Sequence, residues 1–165
     1  MRVPARRREE ELGGVRVAAR GTLGDSLAVT SGVERRSSTR PQRVLIVDDA
    51  ADIRELWRLW LTLWGFAVEE ASNGYEAIGK ALAFKPDLIL MDLWMPVLGG
   101  VETMRHLKAD SRTAHVPVLA LSAQSTAPDP AAVTAAGAAA FISKPCDPDI
   151  LLDHIRAAMG RFRNA

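Results

Sequence analysis

The sequence predicts an α/β protein with a five-stranded parallel sheet, strand order 2-1-3-4-5, and helices on both faces. Three observations carry this. Short continuous apolar runs recur at Val44–Val47, Leu88–Met91, Val116–Leu121 and Ala140–Ser143, and a run without polar alternation is the pattern of a strand covered on both sides. Amphipathic helical segments separate these runs, which argues for parallel strands joined by crossovers. Each run closes on polar residues: Asp48 with Asp49, then Asp92, Ser122 and Lys144. In an open parallel sheet the site lies outside the carboxyl ends of the strands, at the switch point between strands 1 and 3. Three acids, a hydroxyl and an amine therefore converge, a set suited to a divalent metal and a phosphoryl group.

The elements follow in order. Arg43–Val47 is the first strand. Asp52–Trp64 is helical, with Ile53, Leu56, Trp60, Leu63 and Trp64 on the apolar side, Arg54, Arg58 and Thr62 opposite, and Leu61 pointing outward. Gly65 ends it. Phe66–Ala71 is the second strand. Asn73-Gly74 turns into a helix from Tyr75 to Phe84, closed by Lys85-Pro86. Asp87–Met91 is the third strand, and Gly99-Gly100 precedes a helix over Val101–Lys108. Val116–Leu121 is the fourth strand, and Pro130 starts a short alanine-rich helix that stops at Gly137. Ala139–Ser143 is the fifth strand. A last helix from Pro148 or Asp149 to Met159 presents Ile150, Leu151, Ile155 and Ala158 as its stripe.

Composition bounds the rest. Residues 1–43 carry ten Lys/Arg against five Asp/Glu, whereas residues 44–165 carry eleven against fifteen. Residues 1–42 read as a basic, disordered extension without aromatic side chains, either solvated or, through Arg6-Arg7-Arg8, tethered to an acidic partner. Residues 43–160 form the folded domain and 161–165 a tail, with no output domain expected. The acidic folded part is a poor nucleic-acid binder, because phosphate contacts need a basic face. A single cysteine, Cys146, excludes an internal disulfide and suits a reducing cytoplasm; it reads as a packing residue. No run is long enough to span a bilayer. His106, His115 and His154 show no ligand spacing and are expected to be solvated.

Taken together, Val47-Asp48-Asp49, Pro86-Asp87-Leu88-Ile89-Leu90-Met91-Asp92 with Met95-Pro96 and Gly100, Ala120-Leu121-Ser122-Ala123, and Gly137 to Phe141 leading into Ser143-Lys144-Pro145 resemble the receiver domain of two-component response regulators. The resemblance spans about residues 43–160. It implies that Asp92 is the phosphoacceptor, and that Asp49, Asp92 and the Trp94 carbonyl ligate Mg²⁺ with Asp48 acting through water. It further implies that Lys144 and Ser122 contact the phosphoryl group, that Ser122 and Phe141 form the switch, and that Lys144-Pro145 is cis. The implied partners are a sensor histidine kinase or a histidine phosphotransfer protein, and a target that reads the face of helix 4, strand 5 and helix 5. A monomer, or a weak dimer linked to phosphorylation, is expected.

Several positions depart from the family pattern. Phe141 stands where tyrosine is commoner, and Ala139-Ala140 where acids are frequent. Gly99 replaces an aspartate that would tighten the turn. Trp94 and Gln124 occupy the two places that flank the phosphoryl group, and a bulky Trp94 would shield it from water. Trp57, on the flank of the first helix, is either partly buried or an aromatic anchor for a kinase. Competing readings are a phosphorylation-independent adaptor, which the intact Asp48, Asp49, Asp92, Ser122 and Lys144 argue against, and an aspartyl phosphatase. The phosphatase would need a general acid where Trp94 stands.

Overall fold

The computed structural model describes residues 40–123 and 129–163. The expected extension up to residue 39, and Gln124, lie outside them. The element order is β1 (Arg43–Val47), α1 (Ala51–Leu63), β2 (Ala67–Ala71), α2 (Gly74–Phe84), β3 (Leu88–Asp92), α3 (Gly100–Ala109), β4 (Val118–Ala123), α4 (Pro130–Ala135), β5 (Ala140–Lys144) and α5 (Pro148–Arg163). The strands form one sheet in the order β2-β1-β3-β4-β5, and every neighbouring pair is parallel. The expected architecture is therefore the observed one.

Two apolar layers sandwich the sheet, and the period of two along each strand deals its residues between them. Leu45, Val47, Ile89, Met91, Val118 and Ala120 pack with Ala77, Ala81, Met104, Leu107 and Val133 of α2, α3 and α4. Val44, Ile46, Leu88, Leu90, Leu119 and Leu121 pack with Trp57, Leu61, Leu151, Ile155 and Met159 of α1 and α5. Because β1, β3 and β4 are covered on both faces, their sequences run apolar without alternation.

Element ends obey local chemistry. Asn73 caps α2 by accepting from the Glu76 N–H at 3.0 Å, and the Glu76 carboxylate reaches back to the Ser72 N–H at 2.7 Å, so two otherwise orphaned donors are satisfied reciprocally. Gly74 is required by packing: a Cβ there would lie 2.0 Å from the Thr103 hydroxyl and 2.8 Å from the Leu98 carbonyl. Lys108 crosses from α3 to the turn before β4, donating to the Ala114 and Val116 carbonyls at 2.9 and 2.6 Å; burial holds its ammonium below the usual lysine range.

Four expectations are corrected. On α1, Leu61 is fully buried and Trp57 is 5% exposed, while Leu56 and Leu63 are exposed. Residues 53, 57, 60, 61 and 64 share one arc of a 3.6-residue helix, and 56 and 63 fall on its flank. Leu61 therefore points inward, and Trp57 is no surface anchor. On α5, Ile150 is exposed and Leu152 and Met159 are buried, which moves the stripe round by a similar angle. Strand β4 starts two residues late, because the Val116 N–H closes a turn onto the Thr113 carbonyl at 3.0 Å and Pro117 has no N–H to give a ladder. Helix α5 runs to Arg163, since Gly160 alone weakens a helix without stopping it. Just before β1, the Gln42 carbonyl accepts from the Ala67 N–H at 2.9 Å, and Arg40 pairs with Asp87 at 2.9 Å.

Candidate functional site

Asp92 is the last residue of β3, Lys144 the last of β5, and Asp48 and Asp49 follow directly on β1. Ser122 lies one residue inside the end of β4. The parallel order brings these strand ends together. One carboxylate oxygen each from Asp48, Asp49 and Asp92 lies within 4.8 Å of the others. Asp48, Asp92 and Ser122 are buried, at 2%, 6% and 0% exposure, whereas Asp49 is open to solvent.

The Lys144 ammonium bridges the cluster, 2.6 Å from Asp48 Oδ2 and 3.1 Å from Asp92 Oδ1. Lys144 thus pairs with the candidate phosphoacceptor. The shorter contact, to Asp48, has no signal in the sequence, because it depends on register across three strand pairings, from β1 to β5. Burial raises the Asp92 pKa; Lys144 opposes this, and the charges of Asp48 and Asp49 add to it, leaving the group above its ordinary value. For Lys144, burial acts downward, but the hydrogen bond to Asp48 and the charges of both aspartates outweigh it, so its ammonium is held above the usual range. Among the described residues, one cationic side chain pairs with this cluster of three carboxylates, an imbalance that a hard divalent ion with oxygen ligands would correct.

The loop after β3 is drawn close to this cluster. The Leu93 N–H extends the ladder onto the Leu121 carbonyl at 3.0 Å, and the Gly100 N–H donates to the Leu93 carbonyl at 3.1 Å. A Cβ on Gly100 would sit 2.1 Å from the Asp92 carbonyl oxygen, so only glycine lets the start of α3 approach the end of β3. Gly99 caps α3 without a side chain, as its identity implies, and the Thr103 hydroxyl takes its carbonyl at 2.8 Å. Trp94 projects outward with 56% of its surface exposed. The Lys144–Pro145 peptide is cis, as expected.

Ser122 and Phe141 lie on adjacent strands. Phe141 pairs with Ala120, Ser143 pairs with Ser122, and the period of two puts Ser122 and Phe141 on the same face of adjacent strands. Phe141 packs, half-buried, against the layer that contains Val133 and Ala136. Among the described residues, the Ser122 hydroxyl has only a long contact, 3.4 Å, to the Ala123 carbonyl. Cys146 packs partly buried against the α1–α5 layer, and burial together with the Asp147 charge pushes its thiol up. His106 and His115 are exposed and His154 is half-buried. Residue reasoning also passed over Arg54, which donates from Nη1 to the Asp48 and Asp49 carbonyls at 2.7 and 3.0 Å.

Comparison with known proteins gives a consistent result. The family model described as "Response regulator receiver domain" matches residues 44–156. Among curated proteins, the polar-differentiation response regulator DivK of Brucella anthropi is 33% identical over 120 residues, which are 73% of this chain and 98% of that protein. The transcriptional regulatory protein ResD of Bacillus subtilis is 36% identical over 74% of this chain but only 50% of its own length. The chain thus spans about half the length of relatives such as ResD. Among solved structures, the chemotaxis protein CheY4 of Vibrio cholerae superposes with a TM-score of 0.68 at 32% identity, covering 72% of this chain and 99% of that one. The receiver domain of a sensor histidine kinase from Pseudomonas aeruginosa, solved with a magnesium ion coordinated in its active-site cleft, gives 0.68 at 27% identity over 73% and 99%. Among the described residues, no helix is long and apolar enough to cross a membrane.

Proposed function

The chain belongs to the response regulator receiver family of two-component signalling, and on that premise we propose that it accepts a phosphoryl group on Asp92 from a phosphohistidine. The donor is a sensor histidine kinase or a histidine phosphotransfer protein. The observation that carries this reading is the meeting of three carboxylates within 4.8 Å under a lysine that touches two of them.

The residues fit a magnesium ion: Asp49, Asp92 and the Trp94 carbonyl would hold it directly, with Asp48 acting through a bound water. When bound, the ion would neutralise charge on the transferring phosphoryl oxygens. The chain's own groups do the rest. An Asp92 carboxylate oxygen attacks phosphorus, the bond from phosphorus to the donor histidine breaks, and an acyl phosphate forms. Lys144 leaves its contact with Asp92 for a phosphoryl oxygen and keeps its contact with Asp48. Ser122, whose hydroxyl makes only a long contact among the described residues, donates to another phosphoryl oxygen. Its shift frees space on the face it shares with Phe141, whose ring then turns inward and reshapes the surface of α4, β5 and α5. This is a two-state element biased by a local charge event, and its output is a protein contact or onward transfer of the phosphate.

The donor's docking surface is assigned to α1. Leu56, Leu59 and Leu63 are 46%, 51% and 78% exposed, and their i, i+3, i+7 spacing makes one apolar seam suited to a helical partner. The leucines thus take the role the sequence suggested for Trp57.

The test is intact mass after incubation with Mg²⁺ and acetyl phosphate, for wild type and Asp92→Ala. One added phosphate that needs Mg²⁺ and is lost in the variant is the expected result. No adduct and no metal binding would replace this reading with a phosphorylation-independent adaptor.

A further inference from the structure

We infer that Arg54 is a positioning residue for the metal site, setting the direction of the Asp49 carboxylate from behind. This rests on the metal-binding reading above. Nη1 of Arg54 donates to two successive carbonyls, Asp48 at 2.7 Å and Asp49 at 3.0 Å. These carbonyls belong to the two peptide planes that flank the Asp49 Cα. Planes are rigid, so holding both carbonyls fixes the φ and ψ of Asp49, and with them the direction of its Cβ. The Asp49–Ala50 peptide is gripped at its other end too: the Ala50 N–H donates to Asp48 Oδ1 at 3.0 Å. The turn that carries two of the three acids is therefore clamped between a guanidinium from the first turn of α1 and one of its own carboxylates.

The clamp matters because Asp49 has no other constraint among the described contacts. Asp48 and Asp92 are buried and tied to Lys144, whereas the Asp49 side chain is exposed. An unconstrained carboxylate loses rotational and backbone freedom when it takes a metal, and prior fixing of the backbone removes part of that cost. Groups that orient a ligand from outside the coordination shell are commonly worth about tenfold or more in metal affinity.

Charge and position predict opposite signs here. Arg54 is a cation beside an acidic cluster, so on Coulomb grounds its removal would strengthen the binding of another cation. If it acts by position, its removal weakens binding. Mg²⁺ alone is titrated into the full chain, metal-free at the start, with heat of binding and tryptophan emission as readouts. The proteins are wild type, Arg54→Met, Arg54→Ala and Arg54→Lys. Methionine keeps an apolar stem of similar length without donors, which protects folding, and metal-free melting curves check it.

The expected result is a Kd for Mg²⁺ raised about tenfold in Arg54→Met and Arg54→Ala, with most of the loss recovered in Arg54→Lys, which retains a donor. An unchanged or lower Kd in Arg54→Met, with wild type binding normally, overturns the inference and leaves the metal site standing. Absence of Mg²⁺ binding by wild type would overturn both.

Discussion

Val97 occupies a backbone conformation that its side chain resists. Its φ is +74°, and the Leu98 N–H bonds back to the Pro96 carbonyl at 2.9 Å, which makes Val97 the centre of the rare, strained γ-turn. For a β-branched residue a positive φ is a genuine outlier, and strained backbone of this kind costs about 1–3 kcal/mol. Packing does not repay it, since Val97 is 81% exposed and burial of the remainder is worth no more than about 0.5 kcal/mol. Val97→Asn should therefore raise stability by about 1 kcal/mol, because asparagine takes positive φ far more readily than a β-branched residue. Val97→Gly should gain about 0.5 kcal/mol, since the same relief is partly offset by the freer unfolded chain. The assay is urea unfolding followed by tryptophan emission; the midpoint should rise at constant slope, the mark of a change in stability alone. Midpoints for Val97→Asn and Val97→Gly at or below wild type would refute the strain argument.

Other consequences follow from burial and from the site. Leu61→Ala should cost about 2–5 kcal/mol, whereas Leu63→Ala, two residues on, should stay within about 0.5 kcal/mol; equal losses in denaturant titrations would contradict the assigned face of α1. The hydrogen bond from Lys80, then those from Ser72, hold Glu76 down to a pKa of about 2. A depressed acid contributes stability above its unfolded value and loses it as pH falls, so this contribution should fade between about pH 4.5 and 2. Glu76 is partly exposed, so its size is about 0.5–1 kcal/mol. Melting curves of wild type and Glu76→Gln should accordingly converge at the acid end, and a constant gap would count against it. Trp94→Ala should shorten the lifetime of the phosphorylated protein several-fold by opening the acyl phosphate to water, followed by the decay of the phosphorylated mass; an unchanged lifetime removes shielding from the account.

What the sequence determined by itself was whatever depends on local pattern. Continuous apolar runs at 44–47, 88–91 and 116–121 mark strands because both sides of those strands are covered, although the third strand starts two residues inside its run, and Asp48, Asp49, Asp92 and Ser122 mark where the runs stop. Gly100 was legible as part of the resemblance, but the contact that excludes any Cβ there arises from two elements far apart in sequence. The tertiary structure alone decided which arc of α1 faces the sheet, because Leu56 and Leu61 are equally apolar and a helix with leucine on several sides can be read in more than one rotation. It also decided that Lys144 sits nearer Asp48 than Asp92, and that one arginine holds the backbone on both sides of Asp49. Those facts depend on register and on distances between strand ends, which the order of residues along a chain does not encode locally.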